Sequence, residues 1–225
     1  MCRENPEMKI LVCSCDKNAD TWEPFYHCME KYWPDHPEVL YLTETIDNRH
    51  YRTFKENFPI DQWTWRVQRM LRKVDTDKVL LMMDDCFIRR PVDTEKLEYA
   101  MSFLNGNVAN VNLERSWDEH DEPYAEGIKK RRHGAMYEVS IMCGIWQTWC
   151  LDLIMAGNHS PWEVEASQDN CGFDFLITTD GNVIDFGYAR TWVPFGISRG
   201  KWCREVVPFF EHEGIQVDYS KRGMW

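Results

Sequence analysis

Two stretches of the sequence end an apolar run on acidic or polar groups. K-V-L-L-M-M closes on Asp84-Asp85, and K-I-L-V-C-S-C carries the chain into Ser14-Cys15-Asp16. A strand that delivers carboxylates at its carboxyl end suits a divalent cation and, through it, a diphosphate. A turn or cap carboxylate is the plainer use of either residue. A third stretch, S-P-W-E-V-E from Ser160 to Glu165, sets Trp162 beside Glu163 and Glu165. A carboxylate there can take the proton of an attacking hydroxyl while the indole stacks on a ring. Residues two apart on a helix face different sides, so one glutamate points at the reacting group. Glu165 is preferred and Glu163 is the alternative; both also suit the first turn of a helix. The run Lys129-Lys130-Arg131-Arg132-His133 reads as a solvated loop, a lid over a leaving phosphate, or a contact for a nucleic-acid backbone. Trp146, Trp149 and Trp192 are candidate sugar platforms or core residues, and His27, His36 and His212 lack ligand spacing. Neither G-x-G-x-x-G nor G-x-x-x-x-G-K occurs, which argues against a P-loop and a dinucleotide fingerprint.

These groups need a scaffold, and the apolar pattern supplies one. Lys9 to Cys15, Val39 to Leu42, Lys78 to Met83 and Val108 to Leu113 read as strands. Thr21 is placed to cap a helix from Trp22 to Trp33, stopped by Pro34. Apolar residues at 60, 63, 67, 70, 71 and 74 follow a helical period. Further helices are expected over 94–104 and 147–155, and S-P-W-E-V-E carries a proline start signal. Asp180-Gly181-Asn182 reads as a tight turn between short strands. Strand and helix alternate through the first half, the pattern of parallel strands joined by crossover helices. Residues 114–136 read as a polar segment with an acidic block (118–122) and the basic one. The expectation is one α/β domain with a mostly parallel central sheet and an irregular C-terminal half.

Composition narrows the class. The chain has 225 residues, long enough for one large core, with 44% hydrophobic and 28% charged residues. A net charge of −11 weighs against bulk attraction to duplex nucleic acid or anionic membrane. No apolar run reaches the length of a membrane span, and Met1 to Met8 does not look like a signal peptide. Nine cysteines without a C-x-x-C pair point to reduced thiols and a cytoplasmic setting. The 11 Trp, 9 Tyr and 11 Phe suit a core and also stacking on sugars or bases.

Taken together, K-I-L-V-C-S-C-D-K-N-A-D-T-W-E-P-F, K-Y-W-P-D, the helix with Trp63, Trp65 and Arg66, and V-L-L-M-M-D-D-C-F-I-R-R-P-V-D resemble small bacterial and phage glycosyltransferase-like proteins of the GT-A type. S-I-M-C-G-I-W (Ser140 to Trp146), S-P-W-E-V-E and Arg222-Gly223 are similar too, so the likeness runs over most of the chain. It implies a nucleotide-sandwich fold, with 1–113 as a nucleotide-binding half and 114–225 as an acceptor-side half. It implies a nucleotide-diphosphate sugar donor and transfer to a hydroxyl, on a surface-glycan saccharide or, in a phage, on a modified DNA base. By that likeness Ser14, Cys15, Asp16, Arg66, Asp84 and Asp85 face the donor, with Asp16 near base or ribose and Asp84 and Asp85 as metal ligands. Trp162 faces the acceptor. GT-A enzymes commonly carry D-x-D, whereas here Asp84-Asp85 is followed by Cys86, a soft ligand for a hard cation. Dependence on Mn or Mg is therefore expected to be weak or optional. A metal-dependent nucleotidyl or phosphoryl transferase on the same carboxylates, and a non-catalytic binder that sequesters a nucleotide sugar, are the competing readings. A retaining reaction would need no base at Glu165 or Glu163.

Overall fold

The apolar strands are buried on both faces, which is why they read as continuous runs rather than alternating ones. In β1 (Met8–Cys13), Ile10 and Val12 enter one core layer and Leu11 and Cys13 the other. In β4 (Lys78–Met83), Leu80 and Met82 alternate in the same way with Val79 and Leu81. Each fully buried aliphatic side chain contributes about 1.5–3 kcal/mol. The layer containing Ile10 is covered by α1 (Trp22–Tyr32), α3 (Thr94–Met101) and α6 (Val207–Glu213). The opposite layer is covered by α2 (Trp63–Leu71), α4 (Thr148–Ile154) and α5 (Pro161–Ala166). The structure is a computed structural model and describes residues 8–116, 118–167, 170–181, 183–187 and 196–225.

The remaining strands are β2 (Val39–Thr43), β3 (Arg52–Lys55), β5 (Val108–Arg115), β6 (Glu122–Ala125), β7 (Ile128–Lys130), β8 (Gly144–Gln147) and β9 (Asp174–Thr178). A separate hairpin joins β10 (Ile197–Ser198) to β11 (Lys201–Trp202). The large sheet has nine strands in the order β3-β2-β1-β4-β8-β5-β9-β7-β6. β3, β2, β1 and β4 are parallel, as are β5 and β9. β8 lies between β4 and β5 and is antiparallel to both. Two reversals restore direction, so β5 and β9 run the same way as β1 to β4. The carboxyl ends of β1, β2, β4, β5 and β9 therefore share one edge, and the residues leading into β8 arrive at that edge. Parallel α/β sheets bind ligands there.

The expected α/β class with a large central sheet is present, as a mixed sheet. Residues 114–136, expected as a polar segment, contain the antiparallel hairpin β6–β7. Thr21 precedes α1 but makes no side-chain cap; its Oγ1 instead lies 2.7 Å from the Asn18 carbonyl and 3.1 Å from Asp84 Oδ2. No disulfide joins the described cysteines, and among the described residues no helix is long and apolar enough to cross a membrane. The turn expected at Asp180-Gly181-Asn182 ends on a residue outside those described, as does Trp192.

Candidate functional site

β4 ends on the two aspartates, and the chain turns their side chains toward different partners. Asp84 is buried, 3% exposed. Ser14 Oγ donates to its Oδ2 at 2.5 Å, Thr21 reaches the same oxygen, and Asn18 Nδ2 donates to Oδ1 at 3.3 Å. Trp22 Nε1 donates in turn to Ser14 Oγ at 2.7 Å, so the end of β1 and the start of α1 are knotted on Asp84. Burial pushes the Asp84 carboxyl up, against the pull of those donors. Asp85 accepts the Ile197 amide at 3.2 Å through Oδ2, while its carbonyl accepts the Gly196 amide at 2.8 Å. Burial, then the neighbouring Asp84 charge, pushes Asp85 up as well. Gly196 is required here: a Cβ at that position would sit 2.1 Å from the Phe87 ring.

Arg222 faces this pair from the far end of the chain. Its guanidinium pairs with Asp20, donates to Asn18 Oδ1 at 3.2 Å and to the Lys17 carbonyl at 3.0 Å, and lies over Trp202. Its charge draws both aspartates down, as a smaller influence than burial. The donor set does not fit a hard cation shared by Asp84 and Asp85. The two carboxylates accept from different protein donors, both oxygens of Asp84 are taken, and Cys86 is buried with its thiol held well above its usual range by burial. Among the described residues no three His, Cys, Asp or Glu groups converge as a ligand set.

Asp16 ties two loops together. Its carboxylate accepts the amides of Glu44 (3.2 Å), Thr45 (3.0 Å) and Ile46 (3.2 Å), the residues just after β2. Burial opposes the charge, but the Thr45 hydroxyl, which also donates to this carboxylate, and the three amides together outweigh it and hold the carboxyl below its usual range. Glu44 accepts the Asp16 amide and pairs with Arg66 at 2.7 Å. Arg66 is 3% exposed and also donates to the Phe58 carbonyl. Asp16 and Arg66 thus brace the edge from within. Cys15 is half-buried, and burial pushes its thiol up to about 11, so it is neutral at physiological pH.

The acceptor-side residues converge on a cavity of about 380 Å³ lined by Met136, Tyr137, Trp162, Glu165 and Ala166. α5 starts on a capping box: Ser160 Oγ accepts the Glu163 amide at 3.3 Å, and Glu163 Oε2 accepts the Ser160 amide at 2.7 Å. That bond holds the Glu163 carboxyl below its usual range and assigns it to the helix start. Glu165, two residues on, turns into the cavity. Its Oε1 accepts Ser140 Oγ at 3.2 Å and the Ile141 amide at 3.1 Å. Burial pushes its carboxyl up; the two donors pull it down, and the Glu114 charge pushes again in the upward direction. A carboxylate raised by burial and open to a cavity is suited to accept a proton. Trp162 is 68% exposed on the same helix. Tyr137 stands beside it with φ 59°, a left-handed conformation that an aromatic residue rarely adopts and that functional sites often hold.

Several sequence expectations are resolved differently. Trp146 is fully buried against Phe175 and is core; Trp149 is exposed and packs edge-on to Phe173. The basic block is a loop only in part: Lys129 and Lys130 belong to β7, whereas Arg131, Arg132 and His133 follow it outside any strand, with Arg132 and His133 exposed. Lys130 pairs with Asp174 at 2.6 Å, Arg131 with buried Asp121 at 3.6 Å, and Arg132 with Asp118 at 3.9 Å. Two of these pairs, Arg131–Asp121 and Arg132–Asp118, join the basic block to the acidic one. Sequence reasoning missed Tyr137, and it saw Ser140, which reaches Glu165 from the approach to β8, only as part of a likeness. It saw Arg222-Gly223 only as a likeness and not as a cation beside Asp84. All three reach the site through contacts between segments distant in sequence, and no local signal marks them.

No family model and no curated protein matches the sequence. Solved structures with a similar chain path include the bifunctional IspDF of Campylobacter jejuni, at 10% identity and TM-score 0.47, covering 76% of this chain and 49% of that one. A fragment of S. aureus TarS in complex with UDP is similar at 11% identity and TM-score 0.49, over 77% of this chain and 58% of that one. A CMP:2-keto-3-deoxy-manno-octonic acid synthetase complexed with CTP is similar at 12% identity and TM-score 0.47, over 76% of this chain and 88% of that one. The chain thus spans about half the length of IspDF. At this level the likeness is one of chain path and fixes the role of no residue.

Proposed function

We propose that the protein transfers a sugar from a nucleotide-diphosphate sugar to a saccharide hydroxyl, with inversion, using Glu165 as the base. The observation that supports this most directly is Glu165 itself: a half-buried carboxylate facing a cavity walled by an exposed tryptophan. Asp16, Asp84 and Asp85 lie at the carboxyl ends of the same sheet. In this reading the acceptor oxygen attacks the anomeric carbon and its proton passes to Glu165. The bond from that carbon to the diphosphate breaks, and the diphosphate leaves with the electron pair. Arg222 is, in this reading, a cation that serves the leaving group, by exchanging its bonds to Asn18 and Lys17. Trp162 stacks on the acceptor ring in ground and transition state alike. No step is routed through a metal.

Donor binding is tested first, by thermal shift across a set of nucleotide sugars, since a ligand of the native state raises the melting temperature by mass action. Turnover with mono- and oligosaccharide acceptors is then followed by product. Release of nucleoside diphosphate supports sugar transfer; release of pyrophosphate identifies nucleotidyl transfer instead. Tight donor binding with neither product in any acceptor mixture identifies a sequestering protein.

A further inference from the structure

α2 has two stripes. The inner one, with Trp63, Val67, Met70 and Leu71, packs on the sheet. The outer one runs through Trp65, Gln68, Arg69 and Arg72, the i, i+3, i+4, i+7 spacing of a single helical face. With Phe58 these four residues line a groove of about 210 Å³. Trp65 is 39% exposed and meets Phe58 edge-on, with ring centroids 5.8 Å apart. Arg69 lies over the Phe58 ring and shares the Glu56 carboxylate with Lys73, at 2.7 and 3.1 Å. No carboxylate pairs with Arg72 among the described residues, so Arg69, Lys73 and Arg72 stand against a single Glu56. On a chain of net charge −11, three cations with a single ion-paired carboxylate thus stand beside an exposed indole. The helix also adjoins the candidate acceptor cavity: the Thr64 amide donates to the His159 carbonyl at 3.1 Å, one residue before the cap of α5.

We infer that the Phe58–Trp65–Arg69–Arg72 groove binds an anionic saccharide, the acidic unit of a chain whose reacting end lies in the Glu165 cavity. The second clause rests on the proposed function; the binding itself does not. The indole offers a face for a sugar ring, and guanidinium matches carboxylate, sulfate or phosphate in a forked geometry. A cluster of three cations with one shared carboxylate suits one or two acidic groups. It falls short of the run of phosphates that a nucleic-acid strand would bring to a protein of this net charge.

The test is direct binding, measured by fluorescence anisotropy with labelled oligosaccharides bearing carboxylate, sulfate or phosphate groups, a neutral glucose oligomer and oligo(dT). Arg72→Ala and Trp65→Ala are compared with the unaltered chain, with donor thermal shifts as a control on the fold. The expected result is binding of at least one acidic oligosaccharide, weakened about five- to tenfold in each variant and by added salt, with donor shifts unchanged. Failure of all three acidic classes, equal binding of the neutral oligomer, tighter binding of oligo(dT), or indifference to Arg72→Ala would each overturn the inference. An intact groove with no sugar transfer in any assay would instead remove only the link to the Glu165 cavity.

Discussion

At the scale of single residues, environment separates carboxylates that look alike in sequence. Glu163 is held in the charged form by a backbone amide and ends its role at the helix start, whereas Glu165 is pushed toward the neutral form by burial. Glu165→Gln is expected to lower turnover by about 10²–10⁴-fold while leaving donor thermal shifts intact. It also has a stability consequence. A carboxyl whose folded pKa lies above its unfolded one contributes stability that is full in acid and is lost as pH rises through the folded value. The glutamine variant, which carries no charge to bury, should therefore unfold at higher urea than the unaltered chain at neutral pH. That advantage should shrink below about pH 4.3, the ordinary glutamate value. A variant of lower stability at neutral pH would show that the Ser140 and Ile141 donors outweigh burial. Asp84 carries the opposite expectation from the one its position at a strand end suggests. With Ser14, Asn18 and Thr21 all turned on it, Asp84→Asn leaves donors facing an amide, at a cost of about 1–3 kcal/mol in urea unfolding. That cost shows in full in acid and is partly offset at neutral pH by removal of a charge that burial disfavours. Chelation of divalent cations should leave donor thermal shifts of the unaltered chain in place.

Elements differ in how much of themselves they write into the sequence. β1, β4 and α2 are legible because both faces of those strands are covered and because α2 keeps a strict inner stripe. β3 is four residues at the sheet edge with one buried side chain, and its R-T-F-K carries no apolar run. β6 contains Pro123, which only an edge strand tolerates, and it is indeed the last strand of the sheet. β8 runs from Gly144 directly into α4 and is four residues long, so its insertion between β4 and β5 has no local mark. The carboxylates of the candidate site are legible for the same reason as β4, since each ends or opens a strongly patterned element. Their partners are not, because Ser140, on the approach to β8, and Ile197, in β10, arrive from segments distant in sequence. α5 is a six-residue helix whose position depends on its cap. Ser160→Ala should cost about 0.5–2 kcal/mol in urea unfolding. It should also raise the acceptor Michaelis constant more than the donor one, because Trp162 and Glu165 ride on that helix.

Over the whole molecule, the site is closed by its last residues. The β10–β11 hairpin lays the 196–197 amides on Asp85, Trp202 and Trp225 are joined by a backbone bond, and Arg222 reaches back 202 residues to Asp20. This contact brings a cation to a strand end where two adjacent carboxylates would otherwise stand with their charges uncompensated. Side chains at Arg222 and Asp20 are 8% and 15% exposed, so water does little to replace the pair once it is broken. Arg222→Ala is expected to cost about 2–4 kcal/mol, below the upper figures for fully buried pairs because Asp20 keeps some solvent. Arg222→Lys should recover only part of this, since an ammonium cannot fork between Asp20, Asn18 and the Lys17 carbonyl. With the guanidinium gone, Asp84 and Asp85 both lose a charge that draws them down. The stability lost on raising the pH through their folded values should then be larger and extend to higher pH than in the unaltered chain. Urea unfolding of both variants at several pH values checks the argument. An alanine variant as stable as the unaltered chain, with an unchanged pH profile, would show that the far end of the chain does not govern the charge of the β4 carboxylates.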